Sequence, residues 1–106
     1  MDHKLIQYRV KPECLAENEQ LIRAVFAELR DRRITGVHYA VMRQEDGTFV
    51  HLVAADPGQT TAALTALPAF QRFQRGVRER CAVLPASNPV SVVGNYAMLS
   101  DGPAEP

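Results

Sequence analysis

The chain has 106 residues with 12 basic and 12 acidic side chains, so its formal net charge is zero. This length predicts a single domain. The charge balance argues against a dedicated nucleic-acid-binding protein, which would show a basic excess. No apolar run approaches the roughly 20 residues of a membrane-spanning helix, and the N-terminus lacks a signal-peptide pattern. We therefore expect a cytoplasmic protein whose partners include neither nucleic acid nor membrane.

The first two predicted elements are a strand and a helix. In Lys4 to Lys11, β-branched and aromatic residues alternate with polar ones, which is typical of a strand with one apolar face. From Leu15 to Arg33 the apolar residues recur at helical spacing. Acidic residues lie near the start of this segment and arginines near its end, which is the charge order that favours a helix.

The next stretch, Gly36 to Ala55, predicts a β-hairpin. Asp46-Gly47 indicates a two-residue turn, which would pair Met42 with His51. In that register one face is almost wholly apolar and should meet the helices; it carries Val37, Tyr39, Val41, Val50, Leu52 and Ala54. The other face would carry His38, Ala40, Met42, Phe49, His51 and Val53. A three-residue turn would shift the register by one residue.

The second half of the chain predicts a helix and a last strand. A short helical turn is expected at Thr60 to Thr65, and a helix from Pro68 whose buried stripe ends at Cys81. The four arginines of this helix would form a solvated face: Arg72, Arg75, Arg78 and Arg80. Pro85 to Pro89 reads as a loop, and Val90 to Leu99 as the last strand.

The predicted order is β-α-β-β-α-β, an α+β ferredoxin-like fold with two helices on one face of a four-stranded antiparallel sheet. We expect one domain over residues 1–99 and a flexible C-terminal tail over residues 100–106. The sheet face opposite the helices would be apolar, and a monomer rarely exposes such a patch. A symmetric homodimer with two sheets face to face would cover it.

Four segments carry a family resemblance. They are Tyr8 to Pro12 at the end of the first strand, Thr48 to Leu52 in the third strand, Leu64 to Phe73 leading into the second helix, and Val93 to Tyr96 in the last strand. Together they span nearly the whole chain, which resembles the dimeric α+β barrel superfamily and within it the antibiotic biosynthesis monooxygenases. The resemblance implies a homodimer and an apolar pocket between sheet and helices, suited to a small aromatic ligand.

The resemblance also implies limits on function. Haem-degrading members of the superfamily use a helix histidine and a tryptophan, and this chain has no tryptophan and no histidine in either predicted helix. The quinol-type monooxygenases also commonly place a tryptophan in the pocket. We therefore expect no cofactor, and the activity itself is not assigned by the resemblance.

Candidate site residues follow from these expectations. The best catalytic candidate is His51, and the alternative is a half-buried histidine with satisfied hydrogen bonds and no catalytic role. The expected pocket-lining residues, which could also be ordinary core aromatics, are Tyr8, Tyr39, Phe70, Phe73 and Tyr96. The residues expected on the dimer or barrel face are Gln7, Arg9, His38, Met42, Phe49 and Asn95.

The sequence contains no pattern typical of a metal site or of an enzyme class that is recognised by a sequence motif. Cys14 and Cys81 fit no zinc-binding spacing and should be free thiols. No phosphate loop, Ser-His-Asp order or paired-carboxylate pattern is present. Two hypotheses remain. The chain is either an enzyme that oxidises or isomerises a small aromatic substrate without a cofactor, or a non-catalytic ligand-binding or structural homodimer.

Overall fold

The computed structural model describes residues 2–98. The tail expected at residues 100–106 lies outside the described residues. Within them the elements follow the order β1 (His3–Val10), α1 (Leu15–Asp31), β2 (Val37–Arg43), β3 (Thr48–Ala55), α2 (Ala62–Thr65), α3 (Pro68–Gln74), α4 (Val77–Arg80) and β4 (Cys81–Val90). A short 3₁₀ turn, Pro12–Cys14, joins β1 to α1.

The four strands form one antiparallel sheet in the order β2-β3-β1-β4. The two central strands, β3 and β1, come from the two halves of the chain's β-α-β-β-α-β order, with α2, α3 and α4 together forming the second helical connection. The predicted ferredoxin-like fold and its four-stranded antiparallel sheet are therefore confirmed. No helix among residues 2–98 is long and apolar enough to cross a membrane.

The core lies between the helices and one face of the sheet. It combines Tyr8 and Val10 of β1 with Phe49 and Val53 of β3, and with buried side chains of α1, α3 and the segment between α2 and α3. Period-two alternation on β1 and helical periodicity on α1 produce these apolar faces, as the sequence predicts. We call this side of the sheet the helix face and the opposite side the open face.

The turn of the β2–β3 hairpin differs from the prediction. The amide of Gln44 donates to the carbonyl of Thr48 over 2.8 Å, which leaves three residues in the loop. Gly47, with φ of +88°, takes the left-handed position that such loops place last. The side chain of Asp46 accepts from the Thr48 amide over 2.9 Å. The loop therefore has three residues, and the predicted two-residue turn is wrong.

This longer loop shifts the register by one residue. Val41 now pairs with His51, and Tyr39 with Val53. Because side chains alternate across a strand, the shift moves every β3 side chain to the other face of the sheet. Tyr39 and Val41 lie on the helix face as predicted. Phe49, His51 and Val53 join them there, whereas Val50 and Leu52 lie on the open face, so the predicted faces of β3 were reversed.

The predicted second helix breaks at Gly76. This residue adopts φ of +83° after an extended Arg75, and α3 ends before it at Gln74. The left-handed conformation is unfavourable for residues with a Cβ and therefore suits glycine. The chain resumes as the one-turn α4 and enters β4 at Cys81, which pairs with Val10 rather than continuing a helical stripe. The predicted turn at Thr60 to Thr65 corresponds to α2.

The last strand begins about nine residues earlier than predicted. β4 is Cys81–Val90, and Pro85 and Pro89, which the sequence assigned to a loop, lie within it. Among the described strands, β4 pairs only with β1 and forms an edge of the sheet. An edge strand tolerates proline because the missing N–H can face solvent. Residues 91–98, predicted as strand, form none.

Candidate ligand-binding site

An open cavity of about 1410 Å³ lies between the helix face of the sheet and the α2–α3 segment. It reaches solvent beside β4 and the loop that follows β3, since residues of both lie along it. Its volume exceeds the roughly 300–1,000 Å³ of ordinary ligand pockets because it is open. The inner wall combines apolar side chains with two tyrosine hydroxyls and one imidazole: Ile6, Tyr8, Tyr39, His51, Phe70 and Phe73.

His51 occupies the centre of the inner wall, with a tyrosine on each side. Nε2 of the ring lies 2.8 Å from the hydroxyl of Tyr8, and Nδ1 lies 2.7 Å from the hydroxyl of Tyr39. Since β3 lies between β1 and β2, each neighbouring strand supplies one of these tyrosines. Both nitrogens of a histidine that is only 4% exposed are thereby hydrogen-bonded.

The hydrogen-bonded chain continues inward from Tyr8. The side-chain nitrogen of Asn18 donates to the Tyr8 hydroxyl over 3.1 Å, and Nε of Arg80 donates to Oδ1 of Asn18 over 2.9 Å. Asn18, in the first half of α1, is fully buried. The result is a continuous polar row through the core, which we call the relay: Arg80, Asn18, Tyr8, His51 and Tyr39.

Arg80 anchors the buried end of the relay. It is 5% exposed. Its other guanidinium nitrogens donate to the carbonyls of Phe73, over 2.7 Å, and Arg75, over 3.3 Å. The guanidinium also lies 5.4 Å from the centre of the Phe73 ring, which is a favourable cation–π distance. Among the described residues no carboxylate forms a salt bridge with it.

Burial controls the ionisation of the relay. Desolvation lowers the pKa of His51 to about 4, so the ring is neutral at physiological pH. Burial also raises the pKa of Tyr8 to about 12, partly offset by the hydrogen bond from Asn18. The pKa of Tyr39 rises too, first through burial and then through repulsion from an ionised Tyr8. Both tyrosines are therefore neutral phenols near pH 7.

Aromatic contacts hold the relay in place. The Tyr8 ring stacks on Phe49 at 5.6 Å, and the Tyr39 ring stacks on Phe26 at 5.0 Å. Phe73 packs against the ring of His51 at 5.5 Å. Stacked pairs at such distances stabilise beyond the area they bury. They fix the positions from which the two hydroxyls reach His51.

Four of the five expected pocket aromatics lie along the cavity: Tyr8, Tyr39, Phe70 and Phe73. Tyr96 does not join them. It lies beyond β4 with 97% of its surface exposed. Its predicted pocket position depended on a strand at Val90 to Leu99, and β4 ends at Val90 instead.

Four of the six residues expected on the barrel face lie on the open face of the sheet, and two do not. Gln7, Arg9, His38 and Met42 lie on the open face, as the alternation of β1 and β2 requires. Phe49 does not, because the register shift buries it under the helices. Asn95 lies outside the sheet, where its side chain accepts from the amide of Met98 over 3.0 Å.

Two members of the relay, Asn18 and Arg80, were not predicted from the sequence. Arg80 was assigned to a solvated helix face with three other arginines, and this is wrong for Arg80 alone, because the break at Gly76 turns it into the core. A signal for Asn18 existed. It lies four and seven residues before Ile22 and Val25, on the apolar stripe of α1, where an amide needs buried partners.

Metal binding is not indicated by the side chains. Within residues 2–98, no three histidine, cysteine, aspartate or glutamate residues cluster closely enough to hold a metal ion. Cys14 and Cys81 are both free, and burial raises the pKa of the Cys81 thiol, which keeps it protonated.

No protein-family model and no curated protein matches the sequence. Solved structures do match in fold. An antibiotic biosynthesis monooxygenase is 17% identical, with 89% of this chain and 100% of the other covered at a TM-score of 0.68. A proposed antibiotic biosynthesis monooxygenase from Nitrosomonas europaea is 14% identical, with 89% and 100% covered at 0.71.

A third similar structure is a mutant of a cofactor-independent oxygenase from Streptomyces nogalater. It is 14% identical, with 91% of this chain and 96% of the other covered at a TM-score of 0.65. At these identities the likeness shows that the chain shares the fold of these proteins.

Proposed function

We propose that this protein oxidises a small hydroxylated aromatic compound with O₂, bound in the cavity, without a bound cofactor. The observation that carries the proposal is the hydroxyl of Tyr39, held by His51 in the wall of a cavity that is otherwise largely aromatic. Cavities that bind small molecules combine apolar walls with a few fixed polar groups. Here the aromatic side chains would pack on a flat ring, and Tyr39 would hydrogen-bond its oxygen.

The substrate supplies the electrons in this reaction. A hydroquinone loses two protons and two electrons to become a quinone. O₂ takes up the two protons and the two electrons to become H₂O₂. The electrons leave more readily from the ionised hydroquinone than from the neutral one. A cavity with a fixed hydrogen-bond donor that stabilises the ionised oxygen would therefore promote the step.

The structural comparisons support the proposal at the level of fold. One protein of the same fold is described as a cofactor-independent oxygenase. The fold is therefore compatible with cofactor-independent oxygen chemistry. At 14% identity, the comparison does not indicate the substrate.

The test is an oxygen-consumption assay with a panel of hydroquinones, comparing wild type with Tyr39→Phe, which removes only the hydroxyl. We expect the variant to lose about ten-fold or more in rate, as for loss of one hydrogen bond to a developing charge. Tyr96→Phe, at an exposed tyrosine outside the cavity, is the matched control. No consumption above a protein-free blank with any substrate would contradict the proposal.

A non-catalytic ligand-binding protein is the second candidate, and one observation favours it. Both nitrogens of His51 are already hydrogen-bonded to tyrosines, so neither is free to take a proton directly from a substrate. In that case phenols or quinones would bind in calorimetry at micromolar to millimolar concentration, and O₂ consumption would stay at the blank rate.

We also propose that the protein is a homodimer formed through the open face of the sheet. This face carries Leu5, Met42, Val50 and Leu52 among polar residues. Met42 is 51% exposed. An apolar sheet face without helices over it is the kind of surface that a second copy covers.

A further inference from the structure

We infer that Arg80, acting through Asn18, Tyr8 and His51, fixes the direction of every hydrogen bond in the relay, so that Tyr39 presents its hydroxyl proton to the cavity. The cavity would then favour ligands with an ionised oxygen, such as a phenolate or an enolate. The inference rests on the proposed function only in taking that oxygen to belong to the substrate. Arg80 and Asn18 are positioning residues, since neither lines the cavity.

The first step is the orientation of the Asn18 amide. An arginine side chain can only donate hydrogen bonds. The atom of Asn18 that lies 2.9 Å from Nε of Arg80 must therefore be the acceptor, Oδ1. This places the amide nitrogen, a donor, toward the hydroxyl of Tyr8.

The second step is the proton of Tyr8. Its oxygen accepts from Asn18, and the remaining neighbour among the described contacts is Nε2 of His51 at 2.8 Å. If Nε2 also donated, the hydroxyl proton would have no acceptor among the described residues. Tyr8 is 2% exposed, and an unpaired buried donor costs about 1–3 kcal/mol. Tyr8 therefore donates to Nε2, which carries no proton.

The third step is the tautomer of His51. A neutral imidazole carries one proton, and with Nε2 accepting, that proton is on Nδ1. Nδ1 lies 2.7 Å from the hydroxyl of Tyr39, so the ring donates to the tyrosine oxygen. The hydroxyl proton of Tyr39 is then left to point into the cavity, which this residue lines.

All four bonds of the relay thus run from a buried cation toward the cavity. Aligned hydrogen bonds polarise one another, and each strengthens the next donor. The last donor, Tyr39, lies where a ligand oxygen would bind. Donors that are fixed in advance in a low-dielectric site stabilise negative charge better than water does, because they need not reorganise.

The direct test is the tautomer of His51, read from the ¹⁵N chemical shifts of the imidazole in wild-type protein at pH 7. We expect the signature of a ring protonated on Nδ1 only. The opposite signature, with the proton on Nε2, would overturn the inference. This measurement needs no substrate and no variant.

Asn18→Asp is designed to reverse the relay. The introduced carboxylate, once ionised, would pair with Arg80 and could only accept from Tyr8, which would turn the Tyr8 proton away from His51. His51 would then donate from Nε2, and Nδ1 would accept from Tyr39. A purely structural role for Asn18 would leave the tautomer unchanged, so an unchanged ¹⁵N pattern in the folded variant contradicts the inference.

The ligand preference is tested with 4-nitrophenol, whose ionised form absorbs visible light. We expect wild type to bind the phenolate at least ten-fold more tightly than the phenol, which lowers the pH at which bound nitrophenol ionises. Asn18→Asp should remove this preference, and Tyr96→Phe should keep it. Equal affinity for both forms in wild type, or no binding of either, would overturn the predicted preference.

These outcomes separate the inference from the proposed function. An Nδ1 tautomer with phenolate preference but without O₂ consumption would refute the oxidation and leave the relay intact. O₂ consumption with an Nε2 tautomer would refute the relay alone.

Discussion

Tyr39 and His51 are diagonal neighbours on adjacent strands, and the tyrosine hydroxyl lies 2.7 Å from Nδ1 of the histidine. The contact exists because the hairpin loop has three residues. With a two-residue loop His51 would lie on the open face, away from Tyr8 and Tyr39. A single residue in the turn therefore decides whether the core contains a polar relay.

Stability should fall as the pH drops from about 6.5 to about 4. Burial holds the pKa of folded His51 near 4, while the unfolded residue titrates near 6.5, so the unfolded chain binds more protons in this window. The stabilisation is complete above pH 6.5 and is lost progressively below it. The loss in unfolding free energy over the whole window is about 3 kcal/mol. Urea unfolding at a series of pH values measures it.

The matched variant for this effect is His51→Gln, which retains hydrogen-bonding groups but does not titrate. The difference in unfolding free energy between wild type and variant should shrink as the pH falls toward 4. A difference that is constant between pH 7 and pH 4 would show that His51 is not the group responsible.

Tyr8→Phe should destabilise the protein by about 1–3 kcal/mol. The substitution keeps the ring and its stacking on Phe49 but leaves a buried donor of Asn18 and Nε2 of His51 without their partner. Denaturant unfolding at pH 7 gives the value. Tyr96→Phe, at an exposed tyrosine, should change it by less than about 0.5 kcal/mol, and an equal effect of the two variants would contradict a structural role for the relay.

Gly47→Ala should be more harmful than Gly58→Ala. Both glycines have positive φ, +88° and +79°, so alanine meets backbone strain of about 1–2 kcal/mol at either site. At Gly47 the new Cβ would also lie 3.2 Å from the carbonyl oxygen of Val10 and 3.3 Å from a methyl of Leu15, whereas at Gly58 no atom of residues 2–98 would lie within 4 Å of it.

The comparison of these two variants isolates the crowding at Gly47. Thermal unfolding of both should give the lower midpoint for Gly47→Ala. Equal midpoints would show that the contacts with Val10 and Leu15 relax without cost.

The proposed dimer predicts that wild type sediments as twice the chain mass at micromolar concentration. Leu52→Glu, which places a charge on the open face, should shift the equilibrium to monomer. Ala27→Glu, at an exposed position of α1, is the control and should remain dimeric. A monomer for wild type would contradict the proposal.

Local periodicity was enough to predict most of the fold. The alternation in β1, the apolar stripe of α1 and the hairpin signal at Asp46-Gly47 each specify an element from neighbouring residues alone. The element order then restricts the topology to very few arrangements. The pocket itself was implied by the family resemblance, and four of the five aromatic residues expected to line it, Tyr8, Tyr39, Phe70 and Phe73, lie along the cavity.

The hairpin register could not be obtained this way. Asp-Gly is compatible with a two-residue loop and also with a three-residue loop that ends in a left-handed glycine. The rule that polar side chains avoid the core favours the two-residue loop, because the three-residue loop buries His51. The three-residue loop is stable because Tyr8 and Tyr39, on two other strands, satisfy the ring, and that compensation depends on tertiary structure.

The position of β4 was missed for a related reason. Two prolines argue against a strand unless it is an edge strand, and edge position is a property of the whole sheet. The burial of Arg80 was missed together with β4, because Arg80 is buried only where the chain turns at Gly76 and enters that strand. The hydrogen bond from Arg80 to Asn18 joins residues 62 positions apart, so local sequence patterns could not predict it.

Pro85 and Pro89 also limit how copies of this chain can associate. An exposed sheet edge is ordinarily a template on which a strand from another molecule can add, and this is a common route to aggregation. Two of the ten residues of β4 have no N–H to offer to such a strand. The prolines that obscured the strand in the sequence therefore act as protection against fibril-like growth from this side of the sheet.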